Sequence, residues 1–304
     1  MNLIKKIKKD IFYLKLIHNA DSFMSCYPDV KALDNRVNIP VHDVKRRGWD
    51  YYDNGKEPHN LGDELAMPIV NFMLDKKGIK IDKLVNGRKH LLTVGSGGLA
   101  SFQNATMWGT GIMYDGLKGY WYEKYYNSNH RKLDLRAVRG PLTREVFLRL
   151  GHKCPEVYGD PAILMPLIYQ PKSVEKTHEY MIIPQYTTEN EVRKYYPDEM
   201  IISMNSDDFK SVIDRIASCK KVYCSSLHGI ILAEAYGVPA VFFRGVHSNI
   251  DFKYKDYYAS TGRYDVPMAF SLAEAFSFEA PELPDLTKLQ RNLIDTFPYD
   301  LWED

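Results

Sequence analysis

The sequence predicts an α/β protein built from two Rossmann-like domains that face each other. Short apolar runs alternate with amphipathic helical patterns, and that alternation argues for parallel sheets with crossover helices. The alternation comes in two series, separated near PLIYQPKS at Pro166–Ser173. A length of 304 residues suits two domains of about 150 residues each. The expected boundaries are 1–168, 174–283, and a C-terminal helical segment, 284–304, that crosses back to the first domain.

The first stretch, MNLIKKIKKDIFYLKLI, places Ile4, Ile7, Ile11 and Leu14 on one helical face. Lys5, Lys6, Lys8, Lys9 and Lys15 flank that face, against Asp10 alone. Two readings stand: a helix lying on an anionic membrane surface, or a terminal helix packed on the domain with its lysines in water. From about Asp21 to Asn60 the chain is rich in Asn, Asp, Gly and Pro and reads as loops with one short strand. Gly62–Lys77 reads as a helix, because Leu65, Ile69, Phe72 and Met73 share a face. His90–Gly95 (HLLTVG), Thr106–Gly111 and Asp134–Val138 read as strands. Pro141–Leu150 is a helix with proline in its first turn and Gly151 just past its end.

The second series repeats the pattern. Tyr180–Pro184 (YMIIP) and Met200–Ser203 are expected strands. Asp207–Cys219 is an expected helix that turns Phe209, Val212, Ile213 and Ile216 inward. Lys221–Ser225 reads as a strand, Leu227–Tyr236 as a helix, Ala240–Phe243 as a strand, and Leu286–Thr296 as the last helix.

Composition narrows the function classes. Lys+Arg 40 against Asp+Glu 39 leaves no basic excess of the kind nucleic-acid binding needs. Hydrophobic residues at 45% and charged residues at 26% are ordinary for a folded chain. Cys26, Cys154, Cys219 and Cys224 show no C-x-x-C spacing and read as reduced, buried thiols of a cytosolic protein. No apolar run is long enough to span a membrane, and lysines interrupt the N-terminus too early for a secretory signal.

In open parallel sheets, ligands bind where strands end and helices begin. The unusual residues of this chain stand at such points. Asn60-Leu61-Gly62-Asp63 opens the first helix, Gly95-Ser96-Gly97 follows a strand, and Trp108 begins WGTG. Arg139 lies in RGP, Gly159-Asp160-Pro161 ends the first domain, and Ser225-Ser226-Leu227-His228-Gly229 joins a strand to a helix. Plainer accounts exist for each. Glycines make tight turns, Asp63 suits a helix N-terminus, Arg139 can pair with Glu145, and a lone histidine is often structural. The first-domain glycines lack the full G-x-G-x-x-G pattern, since position 100 is Ala, so a dinucleotide site has no support. His228 is the strongest candidate. It falls in the first turn of a helix, where free amide N–H groups attract anions, beside the hydroxyls of Ser225 and Ser226. A histidine there can orient a bound anion and give it a proton.

Together these motifs resemble the polysaccharide pyruvyl transferases. The resemblance rests on NLGDEL from Asn60, GSG from Gly95, WGTG from Trp108, AVRGPLTREVFLRLG from Ala137, YGDPAILMP from Tyr158 and SSLHGIILAEAYGVPAV from Ser225. It implies a GT-B-like arrangement of the two domains. It also implies transfer of the enolpyruvyl unit of phosphoenolpyruvate to a sugar as a cyclic ketal, with phosphoenolpyruvate as donor substrate, no cofactor and no metal. His228 matches the family's functional histidine and Arg139 its RGP arginine. Many members carry an arginine where this chain has Ser226, whereas members on exopolysaccharide pathways have Ser-Ser-Leu-His as here. The replacing cation is expected among Arg144, Arg244, Lys253 and Arg263. Phe252–Tyr257 with Gly262-Arg263 resembles a loop of the exopolysaccharide branch, which puts Lys253 and Arg263 first.

Phosphoenolpyruvate carries a phosphate and a carboxylate, so its site needs cations and oriented N–H donors. Arg139, Ser225, Ser226, Gly229, Lys253 and Arg263 form the expected donor set. Asn60, Gly62, Gly95, Ser96, Gly97 and Trp108 form the expected acceptor side or the loops that shape it. His228 is the expected general acid, or a donor to the leaving phosphate, and Asp63 the expected base for the attacking hydroxyl. No H-E-x-x-H spacing and no D-x-D at a strand end suggests a metal. The expected acceptor is a sugar of a cell-surface polysaccharide or capsule, or its lipid-linked precursor. That partner suits a cytoplasmic enzyme touching the inner membrane face. Two rivals remain open at this point: a GT-B glycosyltransferase using a nucleotide sugar, and a non-catalytic glycan-binding subunit.

Overall fold

Two small parallel sheets organise the protein, a mixed α/β chain. This computed structural model describes residues 36–38, 41–42, 60–86, 90–98, 104–113, 126–129, 131–244 and 251–303. The lysine-flanked segment 1–17 lies outside the described residues. The first sheet has the order β2 (Val41–His42), β4 (Leu91–Leu92), β5 (Asn104–Trp108), β6 (Lys132–Ala137), all parallel. The second has β7 (His178–Ile183), β8 (Cys219–Cys224) and β9 (Ala240–Phe242), also parallel. β1 (Arg36–Asn38) and β3 (Leu84–Asn86) form a separate antiparallel ribbon.

Successive side chains of a strand point to opposite faces, and this sorts the core. Leu91 and Trp108 join one cluster, while their neighbours Leu92 and Met107 join another. In the second sheet, Val222, Cys224 and Phe242 join the same cluster as Leu91 and Trp108, while Tyr223 and Val241 face outward into a third. The facing sides of the two sheets therefore share one continuous core. Both faces of each sheet are covered, as parallel sheets require.

The helices fall close to their expected places. Gly62–Lys77 divides at Leu65 into α1 (Leu61–Glu64) and α2 (Ala66–Asp75). Pro68 explains the division, since it has no N–H to donate to the Glu64 carbonyl four residues back. α3 (Pro141–Arg149) starts on its proline. α4 (Glu189–Arg193) follows β7. α5 (Phe209–Ala217) is capped by Asp208, whose carboxylate accepts the Ser211 N–H at 3.1 Å. α6 (Leu227–Ala235) is buried from Leu227 through Glu234, which matches its nearly all-apolar sequence. It packs on a tight 3-10 turn at Pro161–Leu167.

Two expectations about elements are corrected. Met200–Ser203 is not a strand: Asp198–Met200 forms a single 3-10 turn, and Ile201 makes only an isolated bridge to Ile182. Pro197 enters that turn, and the Ser203 hydroxyl is spent on the Glu189 carboxylate at 2.6 Å. Phe252–Tyr257 is not a loop but the body of α7 (Asp251–Ser260), with Lys253, Tyr254, Asp256, Tyr257 and Tyr258 buried. α8 (Leu272–Ala275) is one turn beyond it.

The chain end lies on the first sheet. Trp108 Nε1 donates to the Leu293 carbonyl of α9 (Thr287–Asp295) at 2.9 Å. Tyr299 Oη donates to the Met73 carbonyl at 2.9 Å and Lys83 Nζ to the Trp302 carbonyl at 2.7 Å. Among the described residues no helix is long and apolar enough to cross a membrane.

Candidate active site

A cleft opens between the two sheets, where the loops after their strands meet. One wall is Asn60, Asp63, Ser96 and Met113. The other is Gln185, Tyr186, Ser226, Leu227, His228 and Lys253. The second wall follows from β7 and β8 ending side by side. Gln185 leaves β7, Ser225 leaves β8, and the Gln185 N–H donates to Ser225 Oγ at 2.9 Å. Tyr254 Oη donates to the Ser225 carbonyl at 2.6 Å, fastening α7 to the same corner. Burial pushes the Tyr254 hydroxyl far up in pKa, so it stays a neutral donor.

Ser226 is the N-cap of α6, its hydroxyl accepting the Gly229 N–H at 3.4 Å. His228 is thus fixed in the first turn of a nine-residue helix. Gly62 meets it from the first wall: a Cβ there would lie 1.8 Å from His228 Nδ1. Glycine is the residue that lets α1 approach the imidazole so closely. On the other side, His228 Nε2 faces Asp160 Oδ2 at 3.7 Å, with the carboxylate wholly buried. Asp63 is held by Asn60, whose Nδ2 donates to Asp63 Oδ2 at 2.7 Å.

Arg139, from the expected donor set, is placed behind the cleft. It does not line the cleft and is fully buried. Its Nε donates to Asp256 Oδ2 at 3.1 Å, one terminal nitrogen to Ser96 Oγ at 2.9 Å, and the other to the Ile112 carbonyl at 2.5 Å. Asp256 is filled in turn by the Thr143 N–H at 2.9 Å and the Thr143 hydroxyl at 2.6 Å. The guanidinium therefore stands behind Ser96 and holds it, and Glu145 plays no part in this network. Gly111 of WGTG makes the room, since a Cβ there would lie 2.2 Å from Arg139 Cζ.

Three further expectations are relocated. Arg263 grips Glu234 with both terminal nitrogens, at 2.8 and 2.7 Å, and Tyr257 Oη donates to the same carboxylate at 2.7 Å. It is away from the cleft lining, spent on a buried partner. Trp108 is a core residue, edge-on to Phe297 at 4.9 Å. Gly229 lies against Cys224 and Ile183, under the helix rather than in the cleft. Gly95 and Gly97 shape the loop that presents Ser96: the Gly95 carbonyl accepts the Gly111 N–H at 2.9 Å, and the Gly97 N–H donates to Thr110 Oγ1 at 3.2 Å. Arg144 reaches the Cys154 carbonyl and Glu156, and Arg244 pairs with Asp251, so neither lines the cleft. Of the cations expected to replace the missing arginine, Lys253 is the one on the wall.

The sequence reading missed Gln185, Tyr186 and Met113, and nothing in their residue types marks them. It singled out Gly159-Asp160-Pro161 but gave Asp160 no role. Asp160 before Pro161 has the signature of an ordinary N-cap, and only its burial beside His228 sets it apart. Among the described residues no cluster of three or more His, Cys, Asp or Glu is disposed to hold a metal ion.

A family model described as polysaccharide pyruvyl transferase matches residues 60–245, which contain nine of the ten cleft residues and the loops that shape them. The chain belongs to that family. It is accordingly a pyruvyltransferase, and the match spans both walls of the cleft. An uncharacterized protein, L143, of Acanthamoeba polyphaga mimivirus is 28% identical over 215 residues, 67% of this chain and 71% of that protein. The succinoglycan biosynthesis protein ExoV of Rhizobium meliloti (strain 1021) is 28% identical over 141 residues, 44% of this chain and 43% of that protein. A functionally uncharacterized protein of Klebsiella pneumoniae, KP1_0663, has a crystal structure that aligns with a TM-score of 0.43 and 12% identity, over 89% of this chain and 100% of that one. That last likeness is too distant to carry an argument. The tenth cleft residue, Lys253, stands beyond the family match, on α7.

Proposed function

We propose that this pyruvyltransferase moves the pyruvyl unit of phosphoenolpyruvate onto two hydroxyls of one sugar, in a cell-surface polysaccharide or its lipid-linked precursor, and releases phosphate. The observation that carries the reading is the meeting of His228, Lys253, Ser226 and Asp63 in one cleft of a polysaccharide pyruvyl transferase. Lys253, His228 and the N-terminus of α6 supply positive potential for a donor with close to three negative charges. Arg139 acts behind them by holding Ser96. Asp63 and Asn60, on the opposite wall, face the acceptor. Two parallel sheets on either side of a cleft are in keeping with a GT-B-like arrangement.

In this mechanism His228 gives a proton to the methylene carbon, whose π electrons take it, and C2 becomes electrophilic. A sugar hydroxyl bonds to C2 and its proton passes to Asp63. The C2–O bond to phosphate breaks with its electron pair going to phosphate. The second hydroxyl then bonds to C2, and the two hydroxyl protons end on His228 and phosphate. The site's task is proton transfer and charge stabilisation, worth about 10²–10⁴-fold for the acid–base part.

The test is phosphate release from phosphoenolpyruvate with a panel of lipid-linked and simple galactosides, with His228→Ala beside the wild type. Acceptor-dependent release that vanishes in the variant is expected. Binding of a nucleotide sugar with no turnover of phosphoenolpyruvate would overturn the reading in favour of a glycosyltransferase. The lysine-flanked segment 1–17 supports peripheral contact of a cytoplasmic enzyme with the membrane's inner face. Deleting it should release the enzyme from the membrane fraction; unchanged partition and unchanged activity on lipid-linked acceptor would sink that part.

A further inference from the structure

Among the described residues, two buried polar atoms face each other behind the cleft without a hydrogen-bond partner: Asp160 Oδ2 and His228 Nε2. Their separation of 3.7 Å is within ion-pair range but longer than a hydrogen bond. The Asp160 side chain is 0% exposed and that of His228 10%. A carboxylate oxygen so far from water is costly unless a donor or a positive charge compensates it. The other oxygen, Oδ1, already accepts the Ala162 N–H at 3.1 Å as the N-cap of the Pro161–Leu167 turn. That bond holds the carboxylate in place. It also shows that capping uses only half of Asp160. Asn or Ser would cap as well without burying a charge.

We propose that Asp160 is the positioning residue of His228: its Oδ2 takes the Nε2–H, so that Nδ1 is the nitrogen that gives up a proton in the cleft. The inference rests on the reading of His228 as the acid in pyruvyl transfer. A small turn of the imidazole closes the remaining distance. The Asp160 carboxylate stabilises the imidazolium before the proton leaves Nδ1 for the methylene carbon, and again when a hydroxyl proton restores Nδ1. The charged groups around the ring are Asp160 from the turn after Gly159, Asp63 from α1 and Lys253 from α7.

The experiment compares wild type, His228→Ala and Asp160→Asn in acceptor-dependent phosphate release, with melting curves to check folding. Asn keeps the capping oxygen and the volume, but with that oxygen on the Ala162 N–H its other group is an NH2, which cannot accept the Nε2–H. The expected Asp160→Asn result is a kcat roughly 100-fold lower, with KM for phosphoenolpyruvate within about twofold. If His228→Ala is inactive and Asp160→Asn keeps the wild-type kcat, the inference fails while the reading of His228 stands. If His228→Ala remains active, that reading fails first. Nitrogen-15 NMR of the wild-type imidazole needs no variant: Nε2–H protonation is expected, and a neutral Nδ1–H tautomer would overturn the inference.

Discussion

Arg139 shows how a motif residue can serve a site without touching what binds there. An arginine in an RGP turn invites the reading of an anion clamp, but here its donors are used by Asp256, Ser96 and two backbone carbonyls, at Gly95 and Ile112. The pair with Asp256 has no exposure on either side. Removing one member of such a pair leaves an uncompensated buried charge, which typically costs about 3–5 kcal/mol. Arg139→Ala should therefore lower the unfolding free energy by that order, read by denaturant titration. A variant with unchanged stability and a raised KM for phosphoenolpyruvate alone would instead put Arg139 on the donor. His228 and Asp63 were singled out by residue type and placement, and Lys253 by the family resemblance. The commitment of Arg139 and Arg263 was not, because their partners Asp256 and Glu234 are 117 and 29 residues away.

The element that matters most is α6. Its N-cap, its first-turn histidine and its apolar body were all readable in SSLHGIILAEA, because capping and burial patterns are local. Ser226 carries two duties, capping α6 and lining the cleft. Ser226→Ala should lose about 1 kcal/mol of stability, while Ser226→Gly should lose only a few tenths. If the hydroxyl also meets the donor, both variants should raise KM for phosphoenolpyruvate to a similar degree. Equal stabilities for the two would show that the cap contributes nothing. α7 was harder to foresee. Its sequence DFKYKDYYAS has no single apolar face, since almost every side is covered by a different neighbour. Met200–Ser203 erred the other way: a short apolar run looks the same in a strand and in a buried turn.

For the whole molecule, the C-terminal segment is the surprise in energetic weight. α9 and the turn at Tyr299–Trp302 bury Leu289, Leu293, Phe297, Leu301 and Trp302 in the same core cluster that receives both sheets. Trp108, from the heart of the first sheet, donates into α9. Deleting residues 284–304 should leave a chain that melts far below the full protein and binds a hydrophobic dye; a truncated chain with the full protein's melting temperature would contradict this account. The same shared core joins α2, the Pro161–Leu167 turn and α6 beneath the cleft. The two walls are thereby held to each other by apolar packing as well as by the Arg139–Asp256 pair.

By itself the sequence determined the inner strands of both sheets and most of the longer helices, the points where strands end in unusual residues, and the family. These depend on periodicity, caps and short motifs, all of which act over a few residues. Tertiary structure alone decided which of those residues share a cleft. It turned Arg139, Arg263 and Trp108 inward, set Lys253 on the wall, and brought Asp160 to within 3.7 Å of His228 across 68 positions of sequence. The reason is physical: a charged side chain's role depends on its nearest opposite charge and its access to water, and neither quantity is local in the chain.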